Sequence, residues 1–339
     1  MSGSDLQVMI MENRTINVLD ALFVMGSFGL SHQGAYVTIS FGIVIYCFAV
    51  GCNLVLLILI TTNRSLHEPM YMFLLNLSVN DLIGISAVVP RTMWDLLSDD
   101  RSITFSACLL QATCIHMYGG ATLLIMSIMA FDRYIAICYP LRYHSIMTRS
   151  CVLKLIVSAW LLDFLMIYTL FALMLRFPFC NTALANHYCD NVSLLLLTCA
   201  KDTTVNNIYG LFITGLLHSL GIFSMVFSYT WILVTCLRNK DNKESKGKAL
   251  HTCATHLLVF LIYELSGLII VLVSRFPYAP PILKKFMSMS FMIFPPSLNP
   301  VIYGVKTKAI QSKLKQAFTS RMFNHHGNIS GSKKVESIA

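Results

Sequence analysis

Asp132 and Arg133 stand side by side where a long apolar stretch, 105–131, gives out, with Tyr134 next to them. Placing charge at the end of a membrane span is expensive unless it reaches the headgroups or works inside a bundle. A carboxylate can neutralise a neighbouring guanidinium, so the pair is a latch that other partners could open. Asp81 and Glu264 lie deeper inside apolar runs, as do His116 and His218. An ionisable group at such depth is functional by default, while a lone histidine is more often satisfied by a neighbouring helix. None of this reads as catalysis: the chain has no HExxH, GxSxG or paired-aspartate arrangement. His187-Tyr-Cys189 offers zinc-type ligands without the Cys-x-x-Cys spacing a structural site uses, so neither metal nor cofactor is expected.

The elements that would hold these residues are membrane helices. The 339 residues are 56% hydrophobic and 12% charged, with a mean hydropathy of +0.67, whereas soluble domains are roughly a quarter charged. Residues 35–62 carry no acidic or basic side chain over 28 positions, and about 20 suffice to span a bilayer. Six further apolar stretches follow near 70–97, 105–131, 152–175, 205–237, 249–274 and 286–305. Seven spans put the termini on opposite sides. Lys and Arg orient them: one side and its tail hold 15 basic residues and the other side eight, with Arg133 and Lys154 at helix ends. The basic side is expected in the cytoplasm and the N-terminus outside. The net charge of +9 then reflects topology and attraction to anionic inner-leaflet lipid, and no basic–aromatic motif points to nucleic acid. The expected fold is an all-α membrane protein, a seven-helix bundle over 35–305. An extracellular segment, 1–34, precedes it. A tail, 306–339, follows, beginning as an amphipathic helix over Lys306–Phe323 and becoming disordered from Asn324.

The N-terminal segment lacks a basic n-region, and its apolar run is broken by Asp20, Gly26 and Ser27, so the first span is expected to act as an uncleaved anchor. Sequons at Asn13 and Asn191 fall on the expected outer side, with Asn13 the better acceptor because its segment is free. Of eleven cysteines, seven lie in or beside spans and read as packing residues. Cys108, Cys180, Cys189 and Cys199 fall outside, where four cysteines imply two bridges with three possible pairings.

The run Met129-Ala-Phe-Asp132-Arg133-Tyr134-Ile-Ala-Ile-Cys138-Tyr-Pro140-Leu-Arg-Tyr143 resembles the third-helix end of rhodopsin-like receptors, and specifically the MAYDRYVAICxPLRY signature of odorant receptors. The resemblance extends from about residue 40 to 315. Gly51-Cys-Asn53 looks like the first-helix asparagine motif, and Pro69-Met-Tyr-Met-Phe-Leu74 with Leu77-Ser78-Val-Asn80-Asp81-Leu82 resembles the second-helix signature. Trp160 and Ser228-Tyr229 match fourth- and fifth-helix positions. Lys248-Ala249-Leu-His-Thr252-Cys253-Ala-Thr-His256-Leu257 is similar to KAxxTCxxHL, and Pro295-Pro296-Ser-Leu298-Asn299-Pro300-Val-Ile302-Tyr303 to PPxxNPxIY.

The resemblance implies a receptor in the plasma membrane of olfactory cilia that answers a small odorant by activating a stimulatory heterotrimeric G-protein. It implies Cys108–Cys189 and Cys180–Cys199 bridges. It also implies a resting latch in which Asp132 holds Arg133 inward, while Pro300 leaves the seventh helix bendable so that Tyr303 can swing toward Tyr229 and Arg133. Asp81 is expected to pair with Asn53 and Asn299. The ligand pocket is expected among helices three, five and six, lined by Ile115, His116, Gly119, Gly120, His218, Tyr263 and Glu264, with the two glycines leaving room. Two departures stand out. The acid often found eleven residues before the arginine is Thr122 here, and Glu264 stands where odorant receptors usually have tyrosine. Arg275 has the planar fork that captures a carboxylate, and a basic residue there is familiar in fish-like, class I odorant receptors. A small polar ligand, a carboxylate or an amphoteric molecule between Arg275 and Glu264, is therefore expected. A receptor for an amine or peptide is the nearest rival, although Ile115 replaces the aspartate of amine receptors. A transporter would show repeated halves, and none are apparent.

Overall fold

The computed structural model describes residues 21–98, 100–238, 243–275 and 280–316, the side chains at 243–252, 274–275 and 281 excepted. Seven long helices occupy almost all of it: α1 (His32–Thr62), α2 (Pro69–Leu97), α3 (Phe105–Cys138), α4 (Arg149–Leu175), α5 (Thr204–Arg238), α6 (Lys243–Arg275) and α7 (Pro281–Lys306). Six of them, α1 to α6, are long and apolar enough to cross a membrane. The seventh carries Lys284 and Lys285 near its start and Pro295, Pro296 and Pro300 inside it. Prolines are tolerated there because packed neighbours re-satisfy the freed carbonyls.

Local chemistry sets the helix starts. The side chains of Ser31, Thr104 and Thr148 accept backbone N–H groups three residues on, at 3.2, 3.4 and 3.3 Å, caps worth about 1 kcal/mol each. Pro69 and Pro281 open α2 and α7, where a missing N–H costs nothing. Every span but α3 begins one to six residues earlier than its apolar stretch, and α3 begins where expected but ends seven residues later. The Asp132–Arg133 pair therefore lies within the last two turns of α3, not beyond its end, and Tyr139-Pro140 closes that helix.

α3 is the axis of the bundle, in contact with α2, α4, α5 and α6. Buried residues surround it on every side, among them Cys108, Ala112, Tyr118, Ala121 and Ile125. α1 and α5, by contrast, expose large apolar side chains such as Phe41, Val44, Phe48, Phe212, Phe223 and Val226. Such rows suit acyl chains, because helices satisfy their own backbone and need only apolar side chains on the lipid side.

One end of the bundle carries the two disulfides and the other carries Arg133. At the disulfide end lies a feature the sequence did not signal. Residues Leu22–Val24 form β1, which pairs antiparallel with β2 (Ser102–Thr104) in the register Leu22↔Thr104, Phe23↔Ile103, Val24↔Ser102. Val24 N–H donates to Thr182 O at 2.8 Å and Leu184 N–H to Val24 O at 2.9 Å, tying the strand to the α4–α5 connection. Phe23 is wholly buried against Phe105 and Phe179. Beyond α7, residues 308–316 are helical, with Ile310 buried and Lys308 and Lys315 exposed.

Candidate functional site

Cys108 at the start of α3 is bridged to Cys189, and Cys180 to Cys199, with Cα–Cα separations of 5.4 and 5.3 Å. The first bridge draws the α4–α5 connection across the bundle mouth. Gln111 secures it from below: its Oε1 accepts Cys189 N–H at 2.9 Å and its Nε2 donates to Ala87 O of α2 at 2.8 Å. Within the connection a short helix, Asn191–Leu195, is capped by Asp190, whose Oδ1 accepts Ser193 N–H at 2.6 Å.

Beneath this roof lies a cavity of about 480 Å³, within the range of small-molecule sites, roughly 300–1,000 Å³. Its walls include Ile115, His116, Gly119 and Gly120 of α3, Asn206, Leu217 and His218 of α5, and Tyr263 and Gly267 of α6. Lys284, Lys285 and Phe291 of α7 and Ala185–Ser193 of the roof complete it. Tyr263 and Phe291 form its floor, with Tyr118 packed behind both. Tyr263 lies 6.1 Å from Tyr118 and 5.1 Å from Phe291, ring centre to ring centre, and its hydroxyl donates to Gly119 O at 2.8 Å.

Three polar features around the cavity escaped the sequence reading as contacts. His218 Nδ1 lies 2.8 Å from Glu264 Oε1, which joins α5 to α6. His187 is 3% exposed, with neither ring nitrogen hydrogen-bonded, and Phe28 of the N-terminal segment sits 4.3 Å from its ring. Burial, helped by the Lys285 ammonium, pushes the His187 imidazole down to about 3, so it stays neutral. Asp163 of α4 is wholly buried with both carboxyl oxygens lacking a hydrogen-bond partner among the described residues. Its Oδ1 occupies the space a Cβ on Gly120 would need, 1.9 Å away. Only Gly119, where the nearest atom to such a Cβ is 3.9 Å off, therefore leaves room of the kind expected of both glycines.

Below the floor, the α3 departure has its own partners. Thr122 Oγ1 donates to Tyr118 O at 2.7 Å and accepts Asn80 Nδ2 at 2.9 Å, so a neutral hydroxyl ties α2 to α3. Asn299 Nδ2 donates to both Asp81 oxygens at 3.2 and 3.0 Å, as expected. Asn53 does not reach Asp81. Its amide donates to Ala49 O and Pro296 O, both at 2.9 Å, because the α7 prolines leave a carbonyl in need of a donor. Trp160 Nε1 donates to Asn76 Oδ1 at 3.3 Å, joining α4 to α2.

At the far end Arg133 is paired with Asp132, through Nε at 3.0 Å and through a second, shorter contact from NH2. Tyr143 Oη donates to the other Asp132 oxygen at 2.8 Å. The carboxylate is thus spent on both sides, and burial, helped by its charge, pushes the Tyr143 phenol above its ordinary range. Tyr229 Oη meets His256 Nδ1 at 2.9 Å and donates to Cys253 O at 3.0 Å, joining α5 to α6. Tyr303 is buried with no hydroxyl partner among the described residues, and Pro300 lies within α7. Tyr134 Oη donates to Tyr139 at 3.4 Å, beside the latch and not in it.

The residues expected at the ligand fall into three groups. Ile115, His116, Gly119, Gly120, His218 and Tyr263 all line the one cavity. Glu264 stands behind the wall on His218. The Arg275 side chain, Asn13 and residues 317–339 lie outside the described residues. Asn191, the second sequon, is 6% exposed in the cavity roof, a poor place for a glycan.

Comparison with known proteins agrees with this geometry. A family model described as olfactory receptor matches residues 42–321. Human olfactory receptor 51I2 is 35% identical over 284 residues, covering 83% of this chain and 89% of its own length. Human olfactory receptor 52K2 is 32% identical over 308 residues, 90% and 97% respectively. Squid rhodopsin superposes with a TM-score of 0.70 at 17% identity, over 86% of this chain and 87% of its own, and so attests the fold alone. The chain belongs to the olfactory receptor family, receptors and not enzymes, with the fold of rhodopsin-like G-protein-coupled receptors.

Proposed function

We propose that this odorant receptor takes a small polar odorant, a carboxylate or an amphoteric molecule, in the cavity among α3, α5 and α6. Binding shifts the bundle so that Arg133 leaves Asp132 and engages a stimulatory G-protein, which raises cAMP. The observation that carries the reading is the convergence of Ile115, His116, Gly119, Gly120, His218 and Tyr263 on one cavity. The aromatic floor and the Tyr229–His256 contact lie between that cavity and the latch, so a shift of α5 against α6 is felt at both ends.

In this reading the disulfide end faces outside, with Asn13 glycosylated, and the basic end faces the cytoplasm of a ciliary plasma membrane. Residues 306–323 lie on the inner leaflet, Lys308 and Lys315 toward the headgroups. Asp81, Asn299, Pro300 and Tyr303 form the hinge that passes the change down α7. Arg275 and Glu264 hold opposite ends of the ligand.

The test is a screen of small acids, amines and amino acids in cells expressing the receptor, with cAMP as the readout. Wild type is compared with Arg275→Ala and Glu264→Gln at matched surface expression. Arg275→Ala is expected to lose acid responses. Acid responses unchanged in that variant overturn the Arg275 assignment, and ligand responses without cAMP overturn the stimulatory coupling.

A further inference from the structure

The cavity is lined by two lysines of α7, Lys284 and Lys285, and by two histidines, His116 of α3 and His218 of α5. His116 Nδ1 lies 2.8 Å from Ala112 O. A carbonyl only accepts, so the ring carries its proton on Nδ1 and leaves a lone pair at Nε2. His218 repeats the arrangement with Glu264 Oε1 in place of the carbonyl, again at 2.8 Å. As a carboxylate, Glu264 accepts the Nδ1 proton and leaves a lone pair at Nε2. That edge of the ring lies over Gly267, where an added Cβ would stand 3.1 Å from Cε1 and 3.7 Å from Nε2. Both histidines and Gly267 line the cavity.

Glu264 is itself incomplete. It is 4% exposed, and its Oε2 has no hydrogen-bond partner among the described residues. Among the described residues the ion pairs are Arg91–Asp95, Arg133–Asp132 and this histidine contact, and none of them sets a lysine or arginine against Glu264. A buried carboxylate is costly until it is paired. Together with the His218 Nε2 edge beside Gly267 in the cavity wall, it describes a site for a cation that brings N–H donors.

We propose that the cavity binds a primary ammonium group, that of a small amine or of the amino end of an amphoteric molecule. The ammonium donates to His218 Nε2 and has His116 Nε2 as a further acceptor, with Glu264 supplying the countercharge through His218. A primary ammonium has three donors, which suits the two imidazole lone pairs and the carboxylate behind His218. The proposal rests on the receptor reading above and specifies the ligand at the Glu264 end of the same cavity.

A matched four-carbon series tests it: butylamine, butyltrimethylammonium, butanol, butyrate and 4-aminobutyrate. Each is applied to the full-length receptor, in cells with cAMP as readout and on the detergent-purified protein with thermal stabilisation as readout. Butylamine and 4-aminobutyrate are expected to act at concentrations about tenfold or more below butanol and butyrate, the value of a charge-assisted over a neutral hydrogen bond. Butyltrimethylammonium has the charge without N–H donors and is expected to be about tenfold weaker than butylamine. Glu264→Gln is expected to weaken butylamine about 10- to 100-fold while moving butanol less than about threefold. The ligand series on the wild type decides the matter even where a variant fails to reach the surface. Equal potency of butylamine and butanol, a preference for butyrate, an unmoved amine response in Glu264→Gln, or no stabilisation by any member overturns the proposal. Stabilisation by amines without cAMP keeps the ammonium site and removes the proposed coupling. A cAMP response to butyrate alone keeps the coupling and removes the ammonium site.

Discussion

Replacing Gly119 and Gly120 by alanine, one at a time, separates space a ligand can use from space the protein already fills. At Gly120 the new Cβ would stand 1.9 Å from Asp163 Oδ1, 2.9 Å from its Cγ and 3.3 Å from Leu217 Cδ1. Asp163 is wholly buried on α4, so it cannot swing into solvent. Either its rotamer changes or α4 moves away from α3, and overpacking of that kind costs about 1–3 kcal/mol. At Gly119 the nearest atom is Tyr263 Oη at 3.9 Å, an ordinary contact. Alanine there is favoured by helix propensity, by up to about 1 kcal/mol over glycine, and its methyl enters the cavity. Gly119→Ala is therefore expected to unfold at or above the wild-type temperature while shifting the potency of every ligand that reaches the floor. Gly120→Ala is expected to unfold earlier and to reach the surface poorly. A thermal ramp with a thiol-reactive fluorophore on detergent-extracted receptor reads both, because Cys253 is free and buried in the folded state. Asp163→Ala removes the obstacle, so adding Gly120→Ala to it should cost at least about 1 kcal/mol less than in the wild type. Unchanged unfolding of Gly120→Ala, or an equal penalty in the Asp163→Ala background, would refute the reasoning.

Two further outcomes follow from the ends of the bundle. His187 drops from 6.5 to about 3 on folding, so between those values the unfolded chain binds the extra proton and stability falls as pH falls. By pH 5 the loss is about 2 kcal/mol, and the melting temperatures of wild type and His187→Phe at pH 7.5 and 5 should show the acid sensitivity shrinking in the variant. At the other end, Asp132→Asn removes the charge that holds Arg133, and loss of a bias of about 1 kcal/mol raises agonist-independent cAMP about fivefold. A basal level equal to wild type at matched surface expression would exclude Asp132 as the latch.

What was legible in the sequence depended on how far apart the partners lie and how regular the signal is. Each span is a local run of apolar residues, so seven helices could be read directly, and α3 was cut short only because charge inside a helix end looks like the end of the helix. Asp132 and Arg133 are neighbours in the chain, and their pairing needs no fold. The β1 strand is three residues long with its partner some eighty positions away, and neither its length nor its pattern distinguishes it from a loop. Asp163 is a single acid in an apolar helix. Its contact with Gly120 exists only once α3 and α4 are packed, and from the sequence the glycine looks like empty space.

Asn53 carries the same lesson in the opposite direction. Its expected partner was the nearest charge, Asp81, but the prolines of α7 left a carbonyl unsatisfied, and in a medium without water that need decides the amide's direction. Glu264 and His218 were both noticed, 46 positions apart, and noticed separately. Only their contact turns two oddities into one acceptor with a charge behind it. The informative unit inside a membrane bundle is therefore the balance of donors and acceptors across facing helices. In this receptor the balance is closed at the Asp81–Asn299 and Asp132–Tyr143 contacts and left open, among the described residues, at Asp163, Tyr303 and Glu264 Oε2.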